Sequence, residues 1–319
     1  MSGRSLSVAV ALLGLAALGG WARADDPSPA GPGHEVIALW PGAAPGGEHV
    51  SMHETVVERS QPPALRDRYV EHVTRPTLVV FKPAQAAGPS LLIAPGGGYR
   101  WVVMDKEGYE AAERFAAAGL TVYVMSYRLP GDHWAAGPDV ALQDAQRAMR
   151  LIRARAGGGP VGVMGFSAGG HVAGMLEEKF DKPAYAPVDA ADQLSARPDF
   201  AVLMYPVATM RDPYVHAGSR TELLGATPSP ADETAYSLEA NVRRDEPPTF
   251  LVQAIDDNSV PVENSLQLLA ALRAAKIPVE LHLFEVGGHG FGIRYAIGKP
   301  AAAWPDLVLA WLSAHGFRH

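Results

Sequence analysis

Short continuous runs of apolar residues alternate along the chain with stretches whose apolar positions recur every three or four residues. The runs TLVVF (Thr77–Phe81), SLLIA (Ser90–Ala94), LTVYVMSY (Leu120–Tyr127), PVGVMGF (Pro160–Phe166), FAVLMY (Phe200–Tyr205), TFLVQAI (Thr249–Ile255) and VELHLFE (Val279–Glu285) read as strands. Helical spacing covers Glu107–Gly119, Pro138–Gly158, Ala168–Phe180, Val262–Lys276 and Ala303–Gly316. Strand-helix alternation of this kind predicts an α/β fold, a mainly parallel sheet with helices on both faces. Strands buried on both sides lose the one-in-two polar alternation, which is why they read as unbroken apolar runs.

The pattern weakens in three places. Residues 25–47 are crowded with Pro, Gly and Ala and read as a linker and irregular lead-in, not a packed element. Residues 206–247 lack a strong period, lie between two strands, and read as a cap-like insertion able to cover a site. The remainder, 48–319, reads as a single domain, and no 20–50-residue repeat is visible. Residues 1–24 read as a signal peptide: Arg4, the apolar run Leu6–Leu18, then small residues at Ala22 and Ala24, with the mature chain starting near Asp25. That run is short for a membrane span, so no stable membrane insertion is expected after cleavage, and the protein is expected to be exported, periplasmic or extracellular.

A content of 48% hydrophobic and 19% charged residues belongs to a folded protein. The net charge of −7 argues against nucleic acid as a partner, which calls for a basic face. With no cysteine in the chain, thiol catalysis and cysteine-held metals are excluded.

The chemistry concentrates at the ends of strands. Gly165, Ser167 and Gly169 meet the pattern G-x-S-x-G, with a strand before it and a helix after it, as a nucleophile elbow requires. No lysine follows, so a phosphate loop does not fit. APGGGYR (Ala94–Arg100) follows another strand. Its glycines allow backbone N–H groups to approach a reacting carbonyl, so Gly97, Gly98 and Ala168 are the candidate oxyanion-hole donors. A third strand leads into IDDNSVPVENS, which offers Asp256 and Asp257. The last leads into EVGGHGFG, which offers His289. The order Ser, Asp, His is that of α/β-hydrolases. His171 lies one helical turn beyond Ser167 and is assigned to packing, because its side chain runs along the helix. His49 and His53, with Glu48 and Glu54 adjacent, have Val50 where a zincin needs glutamate directly after the first histidine, so they read as solvated, and no metal or other cofactor is expected.

Longer segments carry a family resemblance: LWPGAAPGG, RPTLVVFKP, APGGGYRWVVMDKEG, SYRLP, DAQRAMRLIRARA, VGVMGFSAGGHVAG, ARPDFAVLMYPV and the stretch from DDNSVP to GGHGFG. Together they resemble exported bacterial α/β-hydrolase esterases of the acetyl-xylan-esterase-like, or acetyl esterase/lipase, family over about residues 36–316. The resemblance implies the α/β-hydrolase fold. It implies Ser167 as nucleophile, Asp257 as the acid of the D-x-x-V-P motif, and His289 as the base of G-G-H-G-F.

The expected activity is therefore a serine carboxylic-ester hydrolase that removes short acyl groups, above all acetyl, from carbohydrate. A feruloyl-type esterase or a broad short-chain carboxylesterase is the alternative, and a non-catalytic binding protein on the same fold is a further one. The expected partner is a small ester or acylated oligosaccharide. Tyr99, Arg100 and Trp101, next to the oxyanion loop, and Trp134 are the candidate substrate-binding residues.

Overall fold

Seven of the eight strands of the central sheet are the apolar runs read above. The computed structural model describes residues 33–48, 50–62 and 64–318, and the expected signal peptide lies outside them. In chain order the strands and main helices are β1 (Glu35–Ala38), β2 (Thr55–Glu58), β3 (Arg68–Glu71), β4 (Thr77–Phe81), β5 (Ser90–Ala94), β6 (Val102–Val103), α1 (Glu110–Ala117) and β7 (Thr121–Met125). They continue with α2 (Val140–Arg155), β8 (Val161–Phe166), α3 (Ala168–Lys179), β9 (Ala201–Met204), α4 (Ala217–Leu224), α5 (Pro230–Ala235) and α6 (Leu238–Asn241). The last are β10 (Thr249–Ala254), α7 (Glu263–Ala275), β11 (Val279–Phe284) and α8 (Trp304–Ala314). Among the described residues no helix is long and apolar enough to cross a membrane.

The sheet runs β1-β4-β7-β5-β8-β9-β10-β11. It is antiparallel where β1 and β7 flank β4 and parallel from β7 onward. This is an α/β-hydrolase fold. Every residue of β5, β8 and β10 is buried, as expected for strands covered by helices on both faces. On one face α2 packs on α3, and on the other α1 meets α8 through Phe115 and Trp304, whose rings are 5.7 Å apart. Register places the chemistry. Ala94 pairs with Gly165 and Phe166 with Met204, so the turns that leave β5, β8 and β9 emerge side by side at one edge.

Residues 33–47 correct the linker expectation. β1 pairs antiparallel with β4, and Leu39 and Trp40 are buried. Trp40 donates from Nε1 to Asp144 Oδ1 at 2.8 Å, while Arg147 and Arg128 donate to the carbonyls of Leu39 and Pro45. A four-residue strand followed by Pro and Gly leaves too short an apolar pattern to register as an element, yet its tryptophan is held by α2.

A second, three-stranded antiparallel sheet, β2-β3-β6, was not read from the sequence because its strands are two to four residues long. Residues 206–247 hold α4, α5 and α6. The helix expected from Glu107 begins instead as a π-helical turn over Asp105–Tyr109, which leads into α1.

Candidate active site

Ser167 sits at the end of β8 with φ +54° and ψ −119°, a backbone conformation that costs about 1–3 kcal/mol and lifts the side chain out of the turn. The flanking glycines are required by space. A Cβ on Gly165 would lie 2.1 Å from the Gly169 carbonyl oxygen, and one on Gly169 would lie 2.1 Å from that of Ala94. Both contacts are shorter than any real Cβ contact, so the close crossing of β5, β8 and α3 admits no side chain. The Ser167 carbonyl in turn accepts from the N–H groups of Gly170, His171 and Val207, which fixes the elbow from behind.

His289, in the loop after β11, reaches back over the edge. Its Nε2 is 2.8 Å from Ser167 Oγ and its Nδ1 is 2.7 Å from Asp257 Oδ2. A carboxylate can only accept, so Nδ1 carries the proton and Nε2 is left to accept from the serine hydroxyl. Asp257 is buried. Its Oδ1 accepts from the N–H groups of Ser259 and Val260, and its Oδ2 also accepts from Gln253 Nε2. Asp256, its neighbour, faces away from the imidazole. It accepts from the N–H groups of Gly287 and Gly288, which hold its carboxyl below the usual range. The Asp256/Asp257 ambiguity of the sequence is thus divided by geometry: one carboxylate holds the ring, the other the loop that carries it.

The turn after β5 lies beside the elbow. Gly97 and Gly98 have φ +136° and +67°, values open to glycine, and a Cβ on Gly97 would collide with the Trp101 carbonyl at 2.0 Å. Among the described residues, the N–H groups of Gly97, Gly98 and Ala168 have no hydrogen-bond partner. Gly96 leaves no room for a side chain beside the serine, since a Cβ there would be 2.9 Å from Ser167 Cβ. A cavity of about 330 Å³ opens over these groups, with Arg100, Trp101, Lys106, Glu107, His216 and Glu222 in its wall. Such a volume suits a small ligand or one sugar unit. Trp101 packs on Tyr69 of β3, which brings the small sheet to the rim.

Two sequence expectations for this pocket are corrected. Tyr99 is buried, with φ +63°, and its phenol O–H donates to His171 Nδ1 at 2.7 Å. The two preceding glycines turn the chain so that this ring points into the core. His171 donates from Nε2 to the Tyr236 carbonyl, and burial lowers its pKa to about 4, so it is a neutral packing residue. Trp134 is also absent from the wall. It lies under the Arg128 guanidinium at 4.8 Å and against Gly47, and lines a separate cavity with Trp40.

The structure adds residues that the sequence did not single out. His216, from the 206–247 insertion, lies beside Gly98, and burial and the neighbouring His289 lower its pKa. Glu107 is buried and Tyr205 lies against His289, their rings 5.1 Å apart. The only sequence signal for Glu107 was a charged residue on the first turn of a helix expected to face the sheet. Among the described residues, no group of three or more His, Asp and Glu side chains is arranged to hold a metal ion.

This geometry can be set beside known proteins. The family model described as BD-FAE matches residues 78–272. Endo-1,4-beta-xylanase B of Butyrivibrio fibrisolvens is 39% identical over 208 residues, covering 64% of this chain and 32% of that protein. Acetylxylan esterase of Xylanibacter ruminicola is 32% identical over 225 residues, covering 67% of this chain and 43% of that protein. The chain therefore spans less than half of the length of these curated relatives. Among solved structures, an acetyl ester-xyloside bifunctional hydrolase from Caldicellulosiruptor lactoaceticus is 30% identical with a TM-score of 0.70, covering 89% of this chain and 97% of that one.

Proposed function

The chain belongs to the BD-FAE family, and from that premise we propose that it is a serine carboxylic-ester hydrolase that removes acetyl groups from carbohydrate. The observation that carries this reading is the continuous series Ser167 Oγ, His289 Nε2, His289 Nδ1, Asp257 Oδ2, with contacts of 2.8 and 2.7 Å, beneath a glycine loop with unpartnered amides. In the proposed mechanism, Nε2 takes the Ser167 proton as Oγ attacks the ester carbonyl. Asp257 keeps the imidazole in the required tautomer and stabilises the imidazolium that forms. The oxyanion is received by the amides of Ala168 and of Gly97 or Gly98, each such donor being worth about 10²–10³ in rate. His289 then gives that proton to the sugar oxygen as its bond to the acyl carbon breaks, so the sugar leaves with a free hydroxyl. Water then attacks the acyl carbon as the same Nε2 takes its proton, the bond to Ser167 Oγ breaks, Nε2 returns the proton to Oγ, and acetic acid leaves to ionise as acetate. These steps use side chains, backbone and water alone.

One relative is named an acetylxylan esterase and one solved structure an acetyl ester-xyloside bifunctional hydrolase, which supports an acetylated xylan fragment as substrate. Arg100 and Trp101 would face the sugar from the cavity wall. A feruloyl ester is the second reading, favoured by the Trp101 indole on the rim. The Arg4 to Asp25 segment supports export to the periplasm or beyond.

The test compares p-nitrophenyl acetate, butyrate and a longer ester, then acetate release from acetylated xylan with ferulate release from feruloylated arabinoxylan. Preference for acetate in both comparisons supports the proposal. Faster ferulate release transfers it to the second reading, and a folded protein inert toward every ester removes both.

A further inference from the structure

The esterase reading leaves a buried carboxylate unassigned, that of Glu107. Among the described residues it has no ion-pair partner. An unpaired carboxylate is costly to bury unless hydrogen bonds meet it. Here both oxygens are met, and by parts of the chain that the reaction must hold in register. Oε2 accepts from the Gly96 N–H at 3.0 Å, and Oε1 accepts from the Tyr205 phenol at 3.1 Å. The Tyr205 oxygen in turn accepts from the Gly292 N–H at 3.2 Å.

We propose that Glu107 and Tyr205 are positioning residues, a buried bridge that holds the glycine loop at residues 95–98 and the His289 loop in register about Ser167. The proposal rests on the esterase reading above and goes beyond it.

Three observations carry it. First, the contacts are at the reacting edge: a Cβ on Gly96 would lie 2.5 Å from Glu107 Oε2 and 2.9 Å from Ser167 Cβ, and one on Gly290 would lie 3.2 Å from Glu107 Oε1. The carboxylate is therefore against both loops at once. Second, the His289 loop has little stiffness of its own. Gly288, Gly290 and Gly292 all have positive φ, and glycine carries the largest backbone entropy. Asp257 fixes the ring, but the loop needs anchors on its backbone. Asp256 supplies one at Gly287 and Gly288, before the histidine. Tyr205 supplies the other at Gly292, after it. Third, both bridging residues sit on unusual backbone: Glu107 on a π-helical turn, and Tyr205 at φ +36° directly after β9. Wide turns of this kind recur at functional sites. Burial holds the Tyr205 phenol well above its ordinary pKa, so its O–H stays available to donate.

The test uses the full chain as wild type, Tyr205→Phe, Glu107→Gln and the double variant. Measured are kcat and KM for p-nitrophenyl acetate, Tm, and amide hydrogen exchange over residues 95–101 and 286–293. Tyr205→Phe deletes one oxygen and keeps the ring. It should lower kcat by about tenfold with KM held within about twofold, because small displacements at a reacting centre act on rate. It should also raise exchange in 286–293 while 95–101 is unchanged. Glu107→Gln should lower kcat similarly and raise exchange in both segments. The double variant should be little worse than Glu107→Gln, as members of one network do not add. Wild-type kcat per folded molecule in Tyr205→Phe, independent multiplicative losses in the double variant, or unchanged exchange in both loops would each overturn the proposal. If Glu107→Gln does not fold, Tyr205→Phe decides alone. Ser167→Ala is assayed beside them: hydrolysis that survives it removes the Ser167–His289 mechanism on which the esterase reading rests, and exchange in the two loops then decides the bridge.

Discussion

Asp256 and Asp257 are adjacent, chemically identical and one bond network apart in consequence. The turn after β10 sends Asp257 into the protein against His289 and leaves Asp256 at the surface to cap the backbone of the histidine loop. Asp257→Asn should lower kcat by on the order of 10³–10⁴, because the amide favours the wrong imidazole tautomer. Asp256→Asn should cost no more than about tenfold, through loop placement. A larger loss at Asp256, measured on the same ester, would reverse the two roles. At this scale the sequence was informative where chemistry demands a motif. Ser167, Asp257 and His289 stand in turns whose spacing announces them, and the fold brings them together. It misled at Tyr99, since nothing in GGGYR reveals that a left-handed residue after two glycines turns its ring inward. It was silent on Glu107, whose partners lie 11 and 98 positions away.

Elements succeeded or failed as readings according to length. The strands that became β4 and β5 match their apolar runs residue for residue, because a strand covered on both faces must be apolar throughout. β1, β2, β3 and β6 are too short for period to show, and α4 to α6 are short helices of four to eight residues. The elbow is the element on which the site depends, and its glycines carry a sharp expectation. Gly169→Ala places a methyl 2.1 Å from the Ala94 carbonyl, on backbone that cannot yield. It should lower Tm by at least ~5 °C and lower activity with it. A calorimetric scan that shows wild-type stability would mean that β5, β8 and α3 do not cross as closely as described.

For the molecule as a whole, a pH dependence follows from a second set of buried carboxyls. Glu177 and Glu178 of α3 and Glu246 before β10 lie together around a small cavity. Burial raises all three, Glu246 to about 7 from its ordinary 4.5. The folded chain therefore binds more protons than the unfolded chain above the unfolded value. Stability is lost as pH rises through this window, with the full loss reached above the folded value. Buried His171 and His216, whose pKa values are lowered, act in the opposite sense below about 6.5, their ordinary value, so Tm should fall from pH 6.5 to pH 8. Glu246→Gln keeps an oxygen for the Arg243 N–H and should raise Tm at pH 8 while leaving it nearly unchanged at pH 5. A wild-type Tm that climbs from pH 6.5 to pH 8 would contradict the account of this cluster.

The central claim is that the Ser167 hydroxyl, deprotonated by His289, is the nucleophile. Labelling with a fluorophosphonate, followed by peptide mass spectrometry, tests it most directly, since the reagent bonds only to an activated serine and records which one. The account predicts one label per chain, on the peptide containing Ser167, with loss of ester hydrolysis in proportion to labelling and no label in Ser167→Ala. Label on another residue, or undiminished hydrolysis in a fully labelled protein, would contradict it.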